Sequence, residues 1–331
     1  MALPQIMQKM RLPLVGSPMF IVSHPDLVIA QCKAGIVGSF PALNAREKDG
    51  QSLDGWLTRI TEELDRHNQA NPDRPAAPYA VNHIVHRSNG MLDQHLETCV
   101  KHKVPVWITS LGAREDVNEA AHSCGGVVFH DVIHNTFAKK AISKGADGLI
   151  AVAAGAGGHA GAQSPLALIR EIRSWFDGPL LLSGAISEGD SLLAALAMGA
   201  DGGYAGSAFI ATQEANAVDR YKQMVTECGA EDILYSNAFT GVHGNYLKPS
   251  IEAAGMDPNN LDASDPSKMS FSEDRDKSRP KKWADIWGAG QGIGAVHDVV
   301  PVEALVARLE AEFRTAKTRL DAQVAAVTWG G

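Results

Sequence analysis

A glycine-rich segment contains one side chain that could do acid–base chemistry. The segment is GAGGHAG, from Gly155 to Gly161, and that side chain is His159. Glycines remove side-chain bulk, so a planar ring or a substrate can lie against the backbone here. An unperturbed histidine has a pKa of about 6.5, so His159 could take a proton at neutral pH. We predict a catalytic role for His159; the alternative is a loop histidine with a structural hydrogen bond.

Two short turns of small residues indicate phosphate binding. They are Ser183-Gly184-Ala185 and Ala205-Gly206-Ser207, and each follows a short apolar run. Small residues let backbone N–H groups approach a phosphate, and the N-terminus of a following helix adds a favourable dipole. In an α/β barrel, the loops after the last two strands frequently form a phosphate site. We therefore predict a phosphate site here; the alternative is that these glycines only make tight turns.

Other candidate residues follow or end the predicted strands. Pro18 and Met19 end the first apolar run, and Asn82, whose amide can donate to and accept from a heterocycle edge, ends the third. Asp131 ends the fifth run, and we expect it to cap the next helix rather than to orient a histidine. The segment GAGQGIG lacks the βαβ context of a dinucleotide fingerprint. We interpret it as a close backbone approach to a ligand, with Gln291 as a polar contact.

Eight short apolar runs alternate with amphipathic stretches over the first two-thirds of the chain. This pattern is typical of parallel strands covered by helices, and eight consecutive units predict an α/β protein with a (β/α)8 barrel. A phosphate motif at the last two units fits a barrel better than a doubly wound sheet. The predicted strands are residues 12–20, 36–39, 79–82, 104–110, 127–131, 148–152, 179–183 and 202–207.

The pattern changes after the eighth unit. We predict a barrel domain over residues 1–214 and a C-terminal helical and loop extension over residues 215–331 that packs over the barrel mouth. Residues 255–282 are rich in Asp, Ser, Pro and Lys, which predicts a surface loop or lid. A final helix packed on the barrel is predicted by an apolar stripe at helical spacing, made of Val302, Leu305, Val306, Leu309 and Phe313.

The composition excludes several classes of protein. The 331 residues carry a formal charge of -8, and Lys and Arg do not gather in one stripe, which argues against a nucleic-acid or anionic-membrane binder. No stretch approaches the roughly 20 apolar residues of a membrane span, and the first residues lack the apolar core of a signal peptide. The four cysteines are widely spaced, which predicts neither a disulfide framework nor a metal site. We expect a cytoplasmic protein, monomeric or homodimeric, whose partners are small molecules.

Five segments together resemble the nitronate monooxygenase family. They are GSPMF, the strand end at Asn82, GADGLIAVAAGAGGHAG, the long run from Leu180 to Ala215, and IWGAGQGIG. The resemblance covers nearly the whole chain and is most specific from Gly145 to Ala215. It implies an FMN-dependent TIM barrel, in a group that also includes NAD(P)H:quinone reductases and FMN-dependent enoyl-acyl-carrier-protein reductases.

The resemblance also implies roles for individual residues. It makes His159 the catalytic base. It also aligns Asp131 with a position where the family often has a lysine. It places Ala185 where the family often has a second glycine, and alanines 153 and 154 within a stretch where the family commonly has Gln-Gly-x-Glu-Ala. The implied FMN-binding residues are Pro18, Met19, Asn82, Asp131, Gly157, Gly158, Gly184, Ala185, Tyr204, Ala205, Gly206, Ser207 and Gln291, of which Gly184, Ala185, Gly206 and Ser207 hold the phosphate.

The implied reaction is oxidation of alkyl nitronates by O₂ to carbonyl compounds and nitrite. Within flavoenzymes, the alternative is an NAD(P)H-dependent FMN oxidoreductase that reduces quinones or enoyl thioesters. A colourless isomerase or lyase acting on a phosphorylated substrate could use the same phosphate loops. A binding protein without catalysis is a further alternative, and it leaves His159 in the glycine-rich loop without a purpose.

Overall fold

Eight parallel strands form the central sheet in a computed structural model of the chain, which describes residues 3–46, 51–264 and 285–327. Their order around the sheet is β1-β9-β8-β6-β5-β4-β3-β2, and a bridge between Val15 and Val37 joins the two edge strands. The predicted (β/α)8 barrel is therefore confirmed. The strands are β1 (Leu14–Gly16), β2 (Gly38–Pro41), β3 (Tyr79–Ile84), β4 (Val106–Ser110), β5 (Val127–Val132), β6 (Gly148–Val152), β8 (Leu180–Ser183) and β9 (Gly202–Ala205).

Alternate residues of these strands face the barrel interior, as the two-residue period of a strand requires. In β5, Phe129 belongs to the apolar cluster inside the barrel, whereas Val128 belongs to the cluster between the barrel and its helices. The interior is packed with side chains, so it is not a pore. The residues that fill it include Val15, Ala80, Val106, Ile108, Phe129, Ile150, Leu181 and Tyr204.

Helices cover the outside of the barrel. The predicted stripe of α2 is buried at Leu53, Trp56, Leu57, Ile60 and Leu64, and its polar face is turned to solvent. The helix begins where the Ser52 hydroxyl accepts a hydrogen bond from the Gly55 amide at 3.0 Å. The covering helices are α1 (Pro25–Lys33), α2 (Leu53–Ala70), α3 (Leu92–Lys101), α4 (Glu115–Ser123), α5 (Asn135–Ser143), α6 (Pro165–Arg173), α7 (Gly189–Met198) and α8 (Ser207–Ile210).

The first strand is shorter than predicted. It ends at Gly16, and Pro18 and Met19 lie in the loop that follows. Side chains hold this loop, because the Met19 amide donates to the Ser23 hydroxyl at 3.0 Å and the Asn44 amide donates to the Met19 carbonyl at 3.0 Å. These bonds satisfy backbone groups that a longer strand would have paired with its neighbours.

A second sheet, which the sequence pattern did not predict, ties the glycine-rich segment to the C-terminal part of the chain. Its antiparallel strands are β7 (Gly158–His159), β10 (Ile233–Ser236) and β11 (Gly244–Leu247). His159 pairs with Gly244 and Gly158 pairs with Asn245. This part of the chain therefore reaches the C-terminal end of β6, although the predicted boundary at residue 214 stays a prediction.

Three further helices lie in the described residues: α9 (Asp219–Glu227), α10 (Lys248–Ala253) and α11 (Val302–Ala325). The predicted stripe of α11 packs on the core, and the helix is also held by charged groups. Arg11 pairs with Glu310 at 2.7 Å, and the Gly189 amide of α7 donates to Glu312 at 2.9 Å.

Only residues 255–264 of the predicted 255–282 loop are described, and the rest lies outside the described residues. Among the described helices, none is both long and apolar enough to cross a bilayer.

Candidate active site

A cleft opens where the C-terminal ends of β8 and β9 meet the glycine-rich segment. Its free volume is only about 20 Å³, room for little more than one water-sized group. Pockets for drug-sized ligands have volumes of roughly 300–1,000 Å³, so this cleft could take one end of a ligand at most. It is lined by Gly155, Ala156, Gly157, Ser183, Gly184, Ala185, Ile186, Ser187, Tyr204, Ala205, Gly206, Ser207, Gly290 and Gly292.

Backbone atoms crowd this cleft so closely that side chains are excluded at two positions. A Cβ at Gly157 would lie 2.8 Å from the Gly290 nitrogen and 3.0 Å from the Ser207 hydroxyl oxygen. A Cβ at Gly292 would lie 2.9 Å from the Ala185 carbonyl oxygen. The cleft therefore presents mainly peptide groups to its contents, as a phosphate-binding loop does.

One carbonyl joins three of the four segments that line the cleft. The Gly155 oxygen accepts hydrogen bonds from the Gln291 amide at 2.9 Å and from the Ala185 amide at 3.3 Å. The Gly290 amide donates to the Ser207 hydroxyl at 2.8 Å. Because α8 has only four residues, its helix dipole adds little to the attraction of an anion. Ser207 offers hydrogen-bonding groups instead, through its hydroxyl and its backbone amide.

His159 lies in β7, two residues after Gly157 of the cleft lining, and is partly buried. Its Nε2 is 3.0 Å from the hydroxyl oxygen of Thr240. Burial lowers the pKa of His159 to about 4, so the imidazole is neutral at pH 7. A neutral ring can accept a proton, but it cannot hold an anion by charge.

A chain of hydrogen bonds runs across the top of the barrel interior. The Asn82 amide donates to the Ser110 hydroxyl at 2.8 Å, and that hydroxyl donates to the Asp131 carboxylate at 2.5 Å. Burial raises the pKa of Asp131 to about 6, because desolvation outweighs the Ser110 hydrogen bond. Burial also raises the pKa of Tyr204, with a smaller contribution from nearby Asp131. Tyr204 also lines the cleft, so it lies between this chain of polar groups and the turns that follow β8 and β9.

The expectation that Asp131 caps the next helix is wrong. The residue before α5 is His134, whose Nδ1 accepts a hydrogen bond from the Phe137 amide at 3.4 Å. Asp131 instead faces inward, because it lies two residues beyond Phe129, which fills the barrel interior.

Comparisons with known proteins identify the family. The family model described as nitronate monooxygenase matches residues 4–312. The chain belongs to the nitronate monooxygenase family. It is therefore an enzyme of the flavin-dependent oxidoreductase class. This membership argues against the alternative of a colourless isomerase or lyase.

Individual relatives are distant in sequence and close in fold. The nitronate monooxygenase of Neurospora crassa is 25% identical, over 91% of this chain and 89% of that protein. A (3aS,4S,5R,7aS)-5-hydroxy-7a-methyl-1-oxo-octahydro-1H-indene-4-carboxyl-CoA dehydrogenase of Rhodococcus jostii is 26% identical over 72% of this chain, but the match spans only 63% of that protein. The structure of a nitroalkane oxidase from Streptomyces ansochromogenes has a TM-score of 0.75 at 23% identity, covering 95% of this chain and 99% of that one. This last likeness shows a shared fold.

Most of the residues that the resemblance to nitronate monooxygenases marks for FMN lie in the cleft or touch it. Seven line the cleft: Gly157, Gly184, Ala185, Tyr204, Ala205, Gly206 and Ser207. Met19 is adjacent, since a Cβ on Gly206 would lie 3.4 Å from its sulfur, and Gln291 is held against Gly155 by its backbone amide.

Four predicted residues lie outside the cleft. Asn82 and Asp131 face the barrel interior beneath the mouth, and Gly158 is paired with Asn245 in β7. Pro18 lies next to Met19 in the loop after β1. Sequence reasoning missed Ser110, although a signal was present, because it lies two residues after the inward-facing Ile108. Sequence reasoning also missed Thr240, because no local sequence pattern marks this residue.

Proposed function

We propose that this enzyme binds FMN and oxidises alkyl nitronates with O₂. Two nitronate anions and one O₂ give two carbonyl compounds and two nitrite ions, which balances oxygen, nitrogen and charge. Each nitronate loses two electrons, and the O₂ takes up four. The observation that carries this proposal is the backbone-lined cleft at the ends of β8 and β9, with His159 two residues after its Gly157, in a member of the nitronate monooxygenase family.

The residues present fit FMN. The crowding around Gly157 and Gly292 leaves peptide groups, not side chains, to face a phosphate. Gly184, Ala185, Gly206 and Ser207 would hold the phosphate. Asn82, Met19 and Gln291 would surround the ring. When bound, FMN supplies the electron-accepting chemistry that side chains lack.

His159 would act before the oxidation when the substrate is a neutral nitroalkane. Its neutral imidazole takes the α-proton, and the electron pair of the C–H bond stays on the substrate as the nitronate. A nitronate added directly has already lost this proton, so it does not need the base. The lowered pKa of His159 favours this role over that of a cationic anion-binding group.

The test is an anaerobic visible spectrum of the purified protein, with the released flavin identified by mass. We expect FMN, flavin bands that change on addition of an alkyl nitronate, and oxidised bands that persist with NADH or NADPH. In air, nitrite should form in a 2:1 ratio to O₂ consumed. A flavin that NADH or NADPH reduces quickly, and that nitronate leaves unchanged, would refute the proposal.

That outcome would support a second candidate, an NAD(P)H-dependent FMN oxidoreductase acting on quinones or enoyl thioesters. Asp131 favours it, because a carboxyl group with a pKa of about 6 can donate a proton to a reduced product. The Rhodococcus relative is named as a dehydrogenase of a carboxyl-CoA compound, which is a thioester. For either reaction we propose small-molecule partners and a cytoplasmic location, with native mass to distinguish a monomer from a homodimer.

A further inference from the structure

The hydroxyl group of Thr240 contacts His159 from a distant part of the chain. Thr240 lies in the turn between β10 and β11, and 81 residues separate it from His159. Its oxygen is 3.0 Å from His159 Nε2 and 2.9 Å from the Val242 carbonyl oxygen. A threonine hydroxyl has one proton to donate, whereas a carbonyl can only accept. With that proton donated to Val242, the Thr240 oxygen is the acceptor in the contact with His159.

Neighbouring donors agree with this direction. The Val242 amide donates to the Thr240 oxygen at 3.3 Å. The Tyr246 phenol also contacts Thr240, and a phenol can donate as well as accept. The Thr240 oxygen therefore accepts from the Val242 amide, and Val242 also provides the carbonyl that receives the threonine proton.

Both sides of the contact are held in place by hydrogen bonds to backbone carbonyls. On the Thr240 side, the Gly241 amide donates to the Asn237 carbonyl at 2.9 Å, which closes the turn. On the His159 side, the Ala160 carbonyl accepts from the Tyr235 hydroxyl at 3.0 Å. The antiparallel sheet of β7, β10 and β11 therefore sets the distance between the two side chains.

We propose that Thr240 is a positioning residue for His159, whose Nε2–H it accepts, so that the neutral ring is fixed in the Nε2–H tautomer with its lone pair on Nδ1. This inference rests on the proposed function, in which His159 takes the α-proton of a nitroalkane. The proton goes to Nδ1, and the C–H electron pair remains on the substrate. The depressed pKa of His159 agrees, since only a neutral ring has a tautomer to select.

The test is ¹⁵N NMR of the full-length purified protein labelled in its histidines, with His159→Asn used to identify the His159 signals. We expect a protonated Nε2 and an unprotonated Nδ1 at pH 7 in the wild type. Thr240→Ser keeps the hydroxyl and should give the same pattern. Thr240→Val keeps the shape but removes the acceptor, and it should give a mixture of tautomers.

Activity provides an independent readout. Thr240→Val should lower kcat/KM for a neutral nitroalkane about tenfold, the order expected for loss of one hydrogen bond, and Thr240→Ser should restore it. Turnover of a nitronate should change little in either variant. A merely structural role would lower both activities together.

The inference fails if the wild type carries its proton on Nδ1, a result that needs no variant to fold. It also fails if Thr240→Val is folded by circular dichroism and keeps the wild-type tautomer. If the Nε2–H tautomer is found but neither nitroalkane nor nitronate reacts, the positioning stands and the proposed reaction is the part that is wrong.

Discussion

The backbone amide of Gly290 donates a hydrogen bond of 2.8 Å to the hydroxyl of Ser207, although 83 residues separate them. This bond joins the turn after β9 to a segment that follows the C-terminal sheet. Gly157 lies directly against this hydrogen bond, and the space at its α-carbon admits a hydrogen atom but no Cβ. These three backbone segments of the cleft therefore cannot move independently.

Gly157→Ala should disrupt this contact and weaken flavin binding. The added Cβ would lie 2.8 Å from the Gly290 nitrogen, so one segment must shift. We expect at least a tenfold weaker FMN affinity by fluorescence titration, and a loss of about 1–3 kcal/mol of stability from overpacking. Gly229→Ala is the matched control, because nothing lies within 4 Å of its Cβ and its φ is -121°. Unchanged affinity in Gly157→Ala would mean that the cleft does not hold the cofactor.

Ala185→Gly should stabilise the protein. Ala185 has a φ of 54°, in the left-handed region that costs an L-residue roughly 1–2 kcal/mol. Glycine removes that strain but gains freedom in the unfolded chain, so we expect a net gain of about 1 kcal/mol in denaturant unfolding. Ala311→Gly, at an exposed position of α11, should lose about 1 kcal/mol instead. Equal losses in the two variants would show that Ala185 is not strained.

The eight barrel strands could be predicted because most of their residues are apolar on both faces. In VVFHD, Val128 packs against helices and Phe129 fills the barrel, so the run reads as continuously apolar. The position of the turns after β8 and β9 in one cleft could be predicted for a related reason, since a barrel places the ends of its last two strands side by side. Small residues at those two strand ends could therefore be interpreted, from the sequence alone, as parts of one site.

The environment of His159 could not be predicted in the same way. Strand β7 has two residues and no apolar pattern, and it pairs through its backbone with Gly244 and Asn245, far along the chain. Such pairing leaves no periodic signal in the sequence. The pKa of His159 was also beyond sequence reasoning, because it depends on burial that this second sheet creates.

Asp131→Asn should change how stability depends on pH. The folded protein raises the pKa of this carboxyl group from 3.8 to about 6, so the folded state holds the proton more tightly than the unfolded state. Stability from this group is therefore greatest at low pH and falls as the pH rises from about 4 through 6. Asparagine cannot ionise, so the variant should gain up to about 3 kcal/mol relative to the wild type between pH 4 and pH 7.

Urea unfolding at several pH values measures this difference. Asp65→Asn, on the exposed face of α2, provides the control and should show no such trend. A wild-type to Asp131→Asn difference that is constant with pH would show that Asp131 ionises normally.

His159→Asn should separate the two forms of substrate. A general base contributes about 10²–10⁴-fold, so kcat/KM for a neutral nitroalkane should fall at least about 100-fold. Turnover of the corresponding nitronate should fall much less, because its proton is already gone. In the wild type, nitroalkane turnover should decrease as the pH falls through about 4, where the imidazole becomes protonated. His122→Asn, on the exposed surface of α4, should leave both activities intact. Equal losses on nitroalkane and nitronate in His159→Asn would assign the residue to binding rather than to proton transfer.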